Sequence, residues 1–100
     1  MKHVLIPAIM LVLAGPAVAS ADLAKAKACL ACHAVDKKLV GPAFRDVAKR
    51  YAGTPNAEAL VAKSIQNGGG GKWGSVPMPA QKNVSDKEAQ DLARWILQQK

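Results

Sequence analysis

The spacing of apolar and polar residues predicts helices, most clearly at the C-terminal end of the chain. Ser85 is followed three residues later by Glu88, which is the pattern of a capping box at a helix start. The apolar residues that follow recur at i, i+3, i+4, i+7 and i+8 and predict one buried stripe of Ala89, Leu92, Ala93, Ile96 and Leu97. Trp95 lies off this stripe, and we expect it to contact the flank of a neighbouring element.

Two shorter helices are predicted in the middle of the chain. One spans about residues 44–51, after a glycine-proline turn at residues 41–42. The next begins at the Thr-Pro pair of residues 54–55, carries apolar residues at helical spacing and ends at the Asn-Gly pair of residues 67–68.

A first helix is predicted to begin at Asp22, a favourable N-cap residue, and to run through the alanine-rich stretch "DLAKAKACLACHA". Its end would carry the residues of "CLACH", numbers 29–33. Almost nothing in the chain resembles a strand, and there is no internal repeat or linker. The pattern therefore predicts one all-α domain whose helices surround a common centre.

The N-terminal segment predicts a secretory signal peptide. Lys2 precedes an almost uncharged run from Val4 to Val18, and small residues follow. Cleavage is expected after Ala19 or after Ala21, and the sequence does not choose between them. The apolar run is short for a membrane span, so we expect no stable membrane insertion after cleavage. Taking residues 1–21 as the leader leaves residues 22–100 as a single domain of 100 − 21 = 79 residues.

The net charge bears on the partners of the mature chain. Loss of Lys2 with the leader leaves a formal charge of 13 − 7 = +6. Export argues against nucleic acid as a partner, and no basic run is interleaved with aromatic residues. We expect the positive charge to steer encounters with acidic surfaces of partner proteins.

The chemistry of the chain is concentrated in Cys29, Cys32 and His33. Two cysteines at this spacing serve a redox disulfide, a zinc site or haem attachment. A thioredoxin-like disulfide needs a cysteine at a helix start and a fold with strands, which the pattern does not predict. A structural zinc site needs four ligands, and only three cysteine or histidine candidates remain after cleavage. Haem attachment uses all three residues, because both thiols bind the haem and His33 binds the iron.

Ligation by His33 calls for a second axial ligand, and Met78 is the candidate. The other methionines and the other histidine leave with the leader. Met78 lies in "VPMP", within a long aperiodic loop of residues 68–83, and prolines stiffen the backbone on both sides of it. A gap-filling core methionine is the simpler interpretation when no haem is considered. With a haem, the His/Met pair is a known ligand set.

Four stretches together resemble the small bacterial class I cytochromes c of the cytochrome c-551/c-552 kind: "CLACH", "VGPAF", "NGGGGKWGSVPMP" and "VSDKEAQDLARWILQQK". The resemblance covers about residues 22–100. It implies four to five helices around one covalently bound haem c, with the N- and C-terminal helices crossing. It also implies thioethers at Cys29 and Cys32 and axial iron ligands at His33 and Met78.

Further roles follow from the same resemblance. The carbonyl of Pro42 would accept a hydrogen bond from the second imidazole nitrogen of the histidine ligand, and Trp73 would donate its indole N–H to a haem propionate. Gln81 would hydrogen-bond the methionine sulfur. The chain departs from its relatives at Ser64, which stands where a basic residue can reach the propionate, and at Lys82, which looks like an added residue.

The function implied by the resemblance is electron transfer, because histidine and methionine leave the iron no open position for a substrate. The protein would be a soluble periplasmic carrier that meets its redox partners transiently. The donor would be a membrane quinol-cytochrome c reductase, and the acceptor a nitrite reductase or terminal oxidase. Two alternatives from other classes are a small haem peroxidase, which needs an open iron position, and a thiol oxidoreductase, which needs two free thiols and no haem.

Overall fold

The computed structural model describes residues 16–100, so that the predicted leader lies mostly outside the described residues. Within this range the chain forms four α-helices and one 3₁₀ turn: α1 (Pro16–Ala26), the 3₁₀ turn (Cys29–Ala31), α2 (Phe44–Tyr51), α3 (Ala57–Asn67) and α4 (Asp86–Leu97). The one β-type pairing in residues 16–100 is an isolated antiparallel bridge between Gly69 and Met78. The all-α prediction is confirmed.

Helix α4 matches its sequence pattern closely. The Ser85 hydroxyl accepts a hydrogen bond from the Glu88 backbone N–H at 3.1 Å, and the Glu88 carboxylate accepts one from the Ser85 N–H at 3.0 Å. The predicted stripe is buried, with Leu97 only partly so. Trp95 is buried as well and packs edge-on against Phe44, with ring centroids 5.4 Å apart. Since α4 contacts α1, α2 and α3, it is covered on more than the one predicted face.

Helix α1 differs from its prediction at both ends. It already includes Pro16 and continues through Asp22, because the residues around Asp22 are mostly alanines that favour helix. It ends at Ala26, before the cysteines. Ala28 has a left-handed backbone with φ of 60°, which turns the chain and places Cys29 on a separate 3₁₀ turn.

The middle helices were predicted more accurately. Helix α2 has the predicted bounds and buries residues at i, i+3, i+4 and i+7. Helix α3 begins later than predicted, because Asn56 adopts a left-handed conformation with φ of 58° and the Thr-Pro pair belongs to the preceding turn. Asparagine tolerates this conformation better than most residues. Gly68, with φ of 72°, ends α3 as expected.

The first and last helices pack against each other, in agreement with the implied fold class. Ala24 of α1 is almost fully buried in the common core. Lys27, just beyond α1, donates to the Asn83 carbonyl at 2.7 Å and lies 3.5 Å from the Glu88 carboxylate. Ser20 is buried and donates its hydroxyl to the Asp91 carbonyl of α4 at 3.3 Å. These contacts make α1 and α4 one frame for the elements between them.

No helix among residues 16–100 is both long and apolar enough to cross a lipid bilayer.

The capping box predicts a specific pH dependence of stability. The hydrogen bond from the Ser85 N–H, helped by Lys27, holds the pKa of Glu88 below its ordinary value. The stabilisation by this carboxylate is therefore complete above its unfolded pKa and is lost as the pH falls through the lowered native pKa. We expect Glu88→Gln to reduce the fall of the melting temperature across this acidic range, measured by circular dichroism. Asp22→Asn, at an exposed site within α1, is the control and should retain the wild-type slope; equal slopes for the two variants would contradict the prediction.

Candidate functional site

The described residues enclose a cavity of about 320 Å³ that is lined mainly by apolar groups. Its walls come from the 3₁₀ turn, the loop before α2, helices α2, α3 and α4, and the loop between α3 and α4. All six residues that were predicted to form a cofactor site line this one cavity: Cys29, Cys32, His33, Pro42, Trp73 and Met78. The structure thus brings together residues from three separate segments of the chain.

The two cysteines are presented by the short 3₁₀ turn and are not joined in a disulfide. The Cys32 and His33 N–H groups both donate to the Cys29 carbonyl, at 3.2 and 3.0 Å, which fixes the three residues in one compact turn. Burial raises the pKa of the Cys29 thiol. This is the opposite of the lowered pKa that a thioredoxin-like attacking cysteine needs.

The surroundings of the thiols do not favour a structural zinc site either. Within residues 16–100, no three side chains of the types His, Cys, Asp and Glu converge in a group that could hold a metal ion. A tetrahedral zinc site normally takes four such ligands.

The orientation of His33 is fixed by a single hydrogen bond. Its Nδ1 lies 2.8 Å from the Pro42 carbonyl oxygen. Since a carbonyl can only accept, Nδ1 carries the proton of this hydrogen bond, and in the neutral imidazole Nε2 then has a free lone pair. The ring also stacks on Phe44, with centroids 4.9 Å apart and planes inclined by 19°. The imidazole is therefore held in the tautomer and the orientation that a metal ligand requires.

Gly41 makes this position of the imidazole possible. A Cβ atom added to Gly41 would lie 2.4 Å from Cε1 and 2.8 Å from Nδ1 of His33, which is far inside contact distance. The Gly41 N–H also donates to the Cys32 carbonyl at 2.7 Å, so the backbone of the loop is drawn directly against the ring. Sequence reasoning treated Gly41 as a turn residue, and its close approach to the ring was not predicted.

Met78 is positioned by the backbone of the glycine run. Its N–H donates to the Gly69 carbonyl at 2.7 Å, and its carbonyl accepts from the Gly69 N–H at 3.1 Å. A Cβ atom on Gly68 would lie 2.5 Å from the Met78 carbonyl oxygen, so only glycine fits there. The Gln81 N–H donates to the Ile65 carbonyl at 3.0 Å and attaches the far end of the loop to α3.

The side chain of Gln81 hydrogen-bonds the backbone next to Met78. Its amide nitrogen donates to the Pro79 carbonyl at 3.0 Å and so braces the proline-containing backbone next to Met78. The hydrogen bond to the methionine sulfur that the resemblance implies for Gln81 stays a prediction.

A group of cationic and aromatic side chains surrounds the Trp73 end of the loop. The Arg50 guanidinium lies over the Trp73 ring, 4.6 Å from its centroid, and donates to the Lys72 carbonyl. The Lys72 ammonium lies 4.2 Å from the centroid of Tyr51 and donates to the Tyr51 hydroxyl. Sequence reasoning singled out Trp73 but missed Tyr51 and Lys72, although both line the cavity.

The residues present fit a covalently bound haem c. The lining is mainly apolar, two unpaired thiols are in the wall, and an imidazole with a free Nε2 lines the same cavity as a thioether. Gly41 and the glycines of residues 69–71 also line the cavity, so that part of its wall is bare backbone. This donor set of two thiols, one imidazole and one thioether is the one that attaches and ligates a haem of the cytochrome c type.

Comparison with known proteins gives a consistent result. The family model described as "Cytochrome c" matches residues 17–100. Cytochrome c-552 of Hydrogenobacter thermophilus is 56% identical over 85 residues, which cover 85% of this chain and 86% of that protein. Cytochrome c-551 of Pseudomonas aeruginosa is 56% identical over 78 residues, covering 78% of this chain and 74% of that protein. The crystal structure of Nitrosomonas europaea cytochrome c552 has a TM-score of 0.79 at 50% identity, covering 80% of this chain and 99% of that one.

The contact between Gly41 and the imidazole predicts a strong effect of the smallest possible substitution. Gly41→Ala forces a methyl group into the ring of His33, and we expect a loss of about 1–3 kcal/mol in the free energy of unfolding, as for other overpacked sites. Denaturant unfolding measures this loss. Gly69→Ala is the matched control, because a Cβ atom there meets nothing within 4 Å. A Gly41→Ala protein as stable as Gly69→Ala would contradict the packing described above.

Proposed function

Because the chain belongs to the cytochrome c family, whose members are electron-transfer proteins with covalently bound haem c, we propose that it is a periplasmic electron carrier. Its donor in this proposal is a membrane quinol-cytochrome c reductase, and its acceptor is a nitrite reductase or a terminal oxidase. The protein is not an enzyme; it carries one haem and passes electrons between redox partners.

The proposed ligand set assigns one task to each of four side chains. Cys29 and Cys32 form the thioethers, and His33 and Met78 bind the iron. The observation that carries this assignment is the hydrogen bond from His33 Nδ1 to the Pro42 carbonyl, which frees Nε2 in a cavity that Met78 also lines. The bound haem supplies a one-electron ferric/ferrous couple.

The protein residues around the cavity suit a carrier more than a catalyst. Each ligand is held by the backbone of its own segment. The turn of residues 29–33 holds His33, and the bridge to Gly69 holds Met78. A ligand set that is fixed in this way needs little rearrangement when the iron changes its charge, and it leaves no position for a substrate. The apolar lining excludes water and disfavours the more highly charged ferric state.

An apolar rim supports the proposal of transient partners. Val40 and Val76 line the cavity and are also 58% and 62% exposed, and Leu39 is 42% exposed beside them. A small apolar patch of this kind suits a weak redox encounter, which buries less surface than a stable complex. The formal charge of +6 that remains after loss of Lys2 (13 − 7) favours acidic partner surfaces.

The packing of α1 favours one of the two predicted cleavage sites. Ala19 is exposed, whereas Ser20 is buried, donates to the Asp91 carbonyl and precedes Ala21, which packs against the core. Cleavage after Ala21 would remove both of these contacts. We therefore place the end of the leader at Ala19, so that the exported protein comprises residues 20–100.

The mass of the protein purified from the periplasm of a bacterial host tests both the haem and the leader. We expect the mass of residues 20–100 plus about 616 Da, the mass of one haem attached through both thiols. A mass corresponding to residues 22–100 would contradict the cleavage site alone. A chain without the added mass would contradict haem attachment and favour a thiol protein.

Substitution of Met78 tests the ligand set. The wild-type ferric protein should show a weak absorbance band at about 695 nm, typical of an iron–sulfur bond, and the ferrous protein should not bind carbon monoxide. Met78→Ala should lose the band and bind carbon monoxide. Ser75→Ala, at an exposed position of the same loop outside the cavity lining, should retain the wild-type spectrum. Carbon monoxide binding or peroxide turnover by the wild type would contradict a closed ligand set and favour a haem enzyme.

A further inference from the structure

Among the described residues that line the cavity, one side chain is permanently positive. Among the described residues that line it there is one lysine, Lys72, and there is no arginine, aspartate or glutamate. The rest of the lining is almost entirely apolar side chains and glycine backbone, with a few neutral polar groups. An ammonium in such a wall acts on the contents of the cavity through fewer water molecules than a charge elsewhere on the surface does.

Lys72 is held at this wall by Tyr51. The ammonium lies 4.2 Å from the centroid of the Tyr51 ring and donates a hydrogen bond to its hydroxyl. Tyr51 itself is buried, with 7% of its surface exposed, and is part of both the core and the cavity lining. Although Lys72 is exposed, its ammonium is therefore held against a buried residue of the cavity wall.

The backbone next to Lys72 is fixed as well. The Lys72 carbonyl accepts a hydrogen bond from Arg50, whose guanidinium covers the Trp73 ring. This arrangement places the ammonium of Lys72 and the indole of Trp73 on adjacent residues of one anchored segment. Haem c carries two anionic propionate groups, and Trp73 is already the residue expected to donate to one of them.

Ser64 does not supply a positive charge to this cavity. It lines the cavity, but its hydroxyl donates to the Leu60 carbonyl of its own helix at 3.1 Å. The cavity thus lacks a cation from α3, and Lys72 supplies one from the loop between α3 and α4.

We propose that Lys72, presented by Tyr51, is the counter-charge of a haem propionate in this protein and raises the reduction potential of the haem. The inference rests on the haem site proposed above. A positive charge near the iron favours the ferrous state, which carries one positive charge fewer than the ferric state. Partial neutralisation of a propionate by Lys72 acts in the same direction.

The test is a redox titration of the haem-loaded wild type and three variants at neutral pH and low salt. In Lys72→Gln we expect the ratio of ferrous to ferric protein, at a fixed ambient potential, to fall about threefold to tenfold; a tenfold change corresponds to about 59 mV for a one-electron couple. Lys72→Arg keeps the charge and should stay within about twofold of the wild-type ratio. Lys49→Gln removes the same charge from an exposed position of α2 outside the cavity lining and should also change the ratio less than twofold.

The outcomes separate this inference from the proposed function. An unchanged ratio in Lys72→Gln, or an equal fall in Lys49→Gln, overturns the role of Lys72 when the wild type shows the attached haem and the 695 nm band. Absence of the haem or of the band in the wild type overturns the proposed function itself. The 695 nm band and the melting temperature of each variant are recorded in parallel, so that a lower potential caused by loss of the methionine ligand or by unfolding is recognised and counts against the inference.

Discussion

The hydrogen bond from His33 Nδ1 to the Pro42 carbonyl is the interaction on which the site depends. It selects one tautomer of the imidazole, and it requires the backbone of residues 41–42 to lie directly against the ring. Gly41 meets this requirement by having no side chain. Pro42 contributes through its carbonyl and its fixed φ, which also leads the chain into α2. The ring then stacks on Phe44, so that one short segment provides the acceptor, the space and the packing surface.

Packing against the helices holds this segment in place. Phe44 packs against Trp95 of α4, and α4 in turn contacts α1 and α3. The histidine is therefore connected through two aromatic rings to the helix that organises the core. The methionine side is attached differently, through main-chain hydrogen bonds to Gly69 and through the connection of Gln81 to Ile65. One side of the cavity thus relies on side-chain packing and the other on backbone pairing.

Much of the architecture follows from local patterns in the sequence. The capping box and stripe of α4 and the extent of α2 depend on periodicity and on capping residues, and both were predicted. The grouping of the six candidate residues in one cavity also followed from the motif around the cysteines, from Met78 and from the family resemblance. The left-handed conformations of Ala28 and Asn56 were not predicted, because neither residue type requires them. The pairing of Lys72 with Tyr51 was missed because it joins residues that the sequence separates by a helix and a loop.

Because of the bridge between Gly69 and Met78, the position of the methionine and the charge beside the cavity depend on different atoms. Because main-chain atoms alone form the bridge, the side chain of Lys72, which lies between its ends, takes no part in the pairing that positions the methionine. A change of charge at position 72 therefore removes none of the hydrogen bonds that pair Met78 with Gly69. Evolution can thus change the reduction potential of the haem at this position while the main-chain bridge to the methionine is kept.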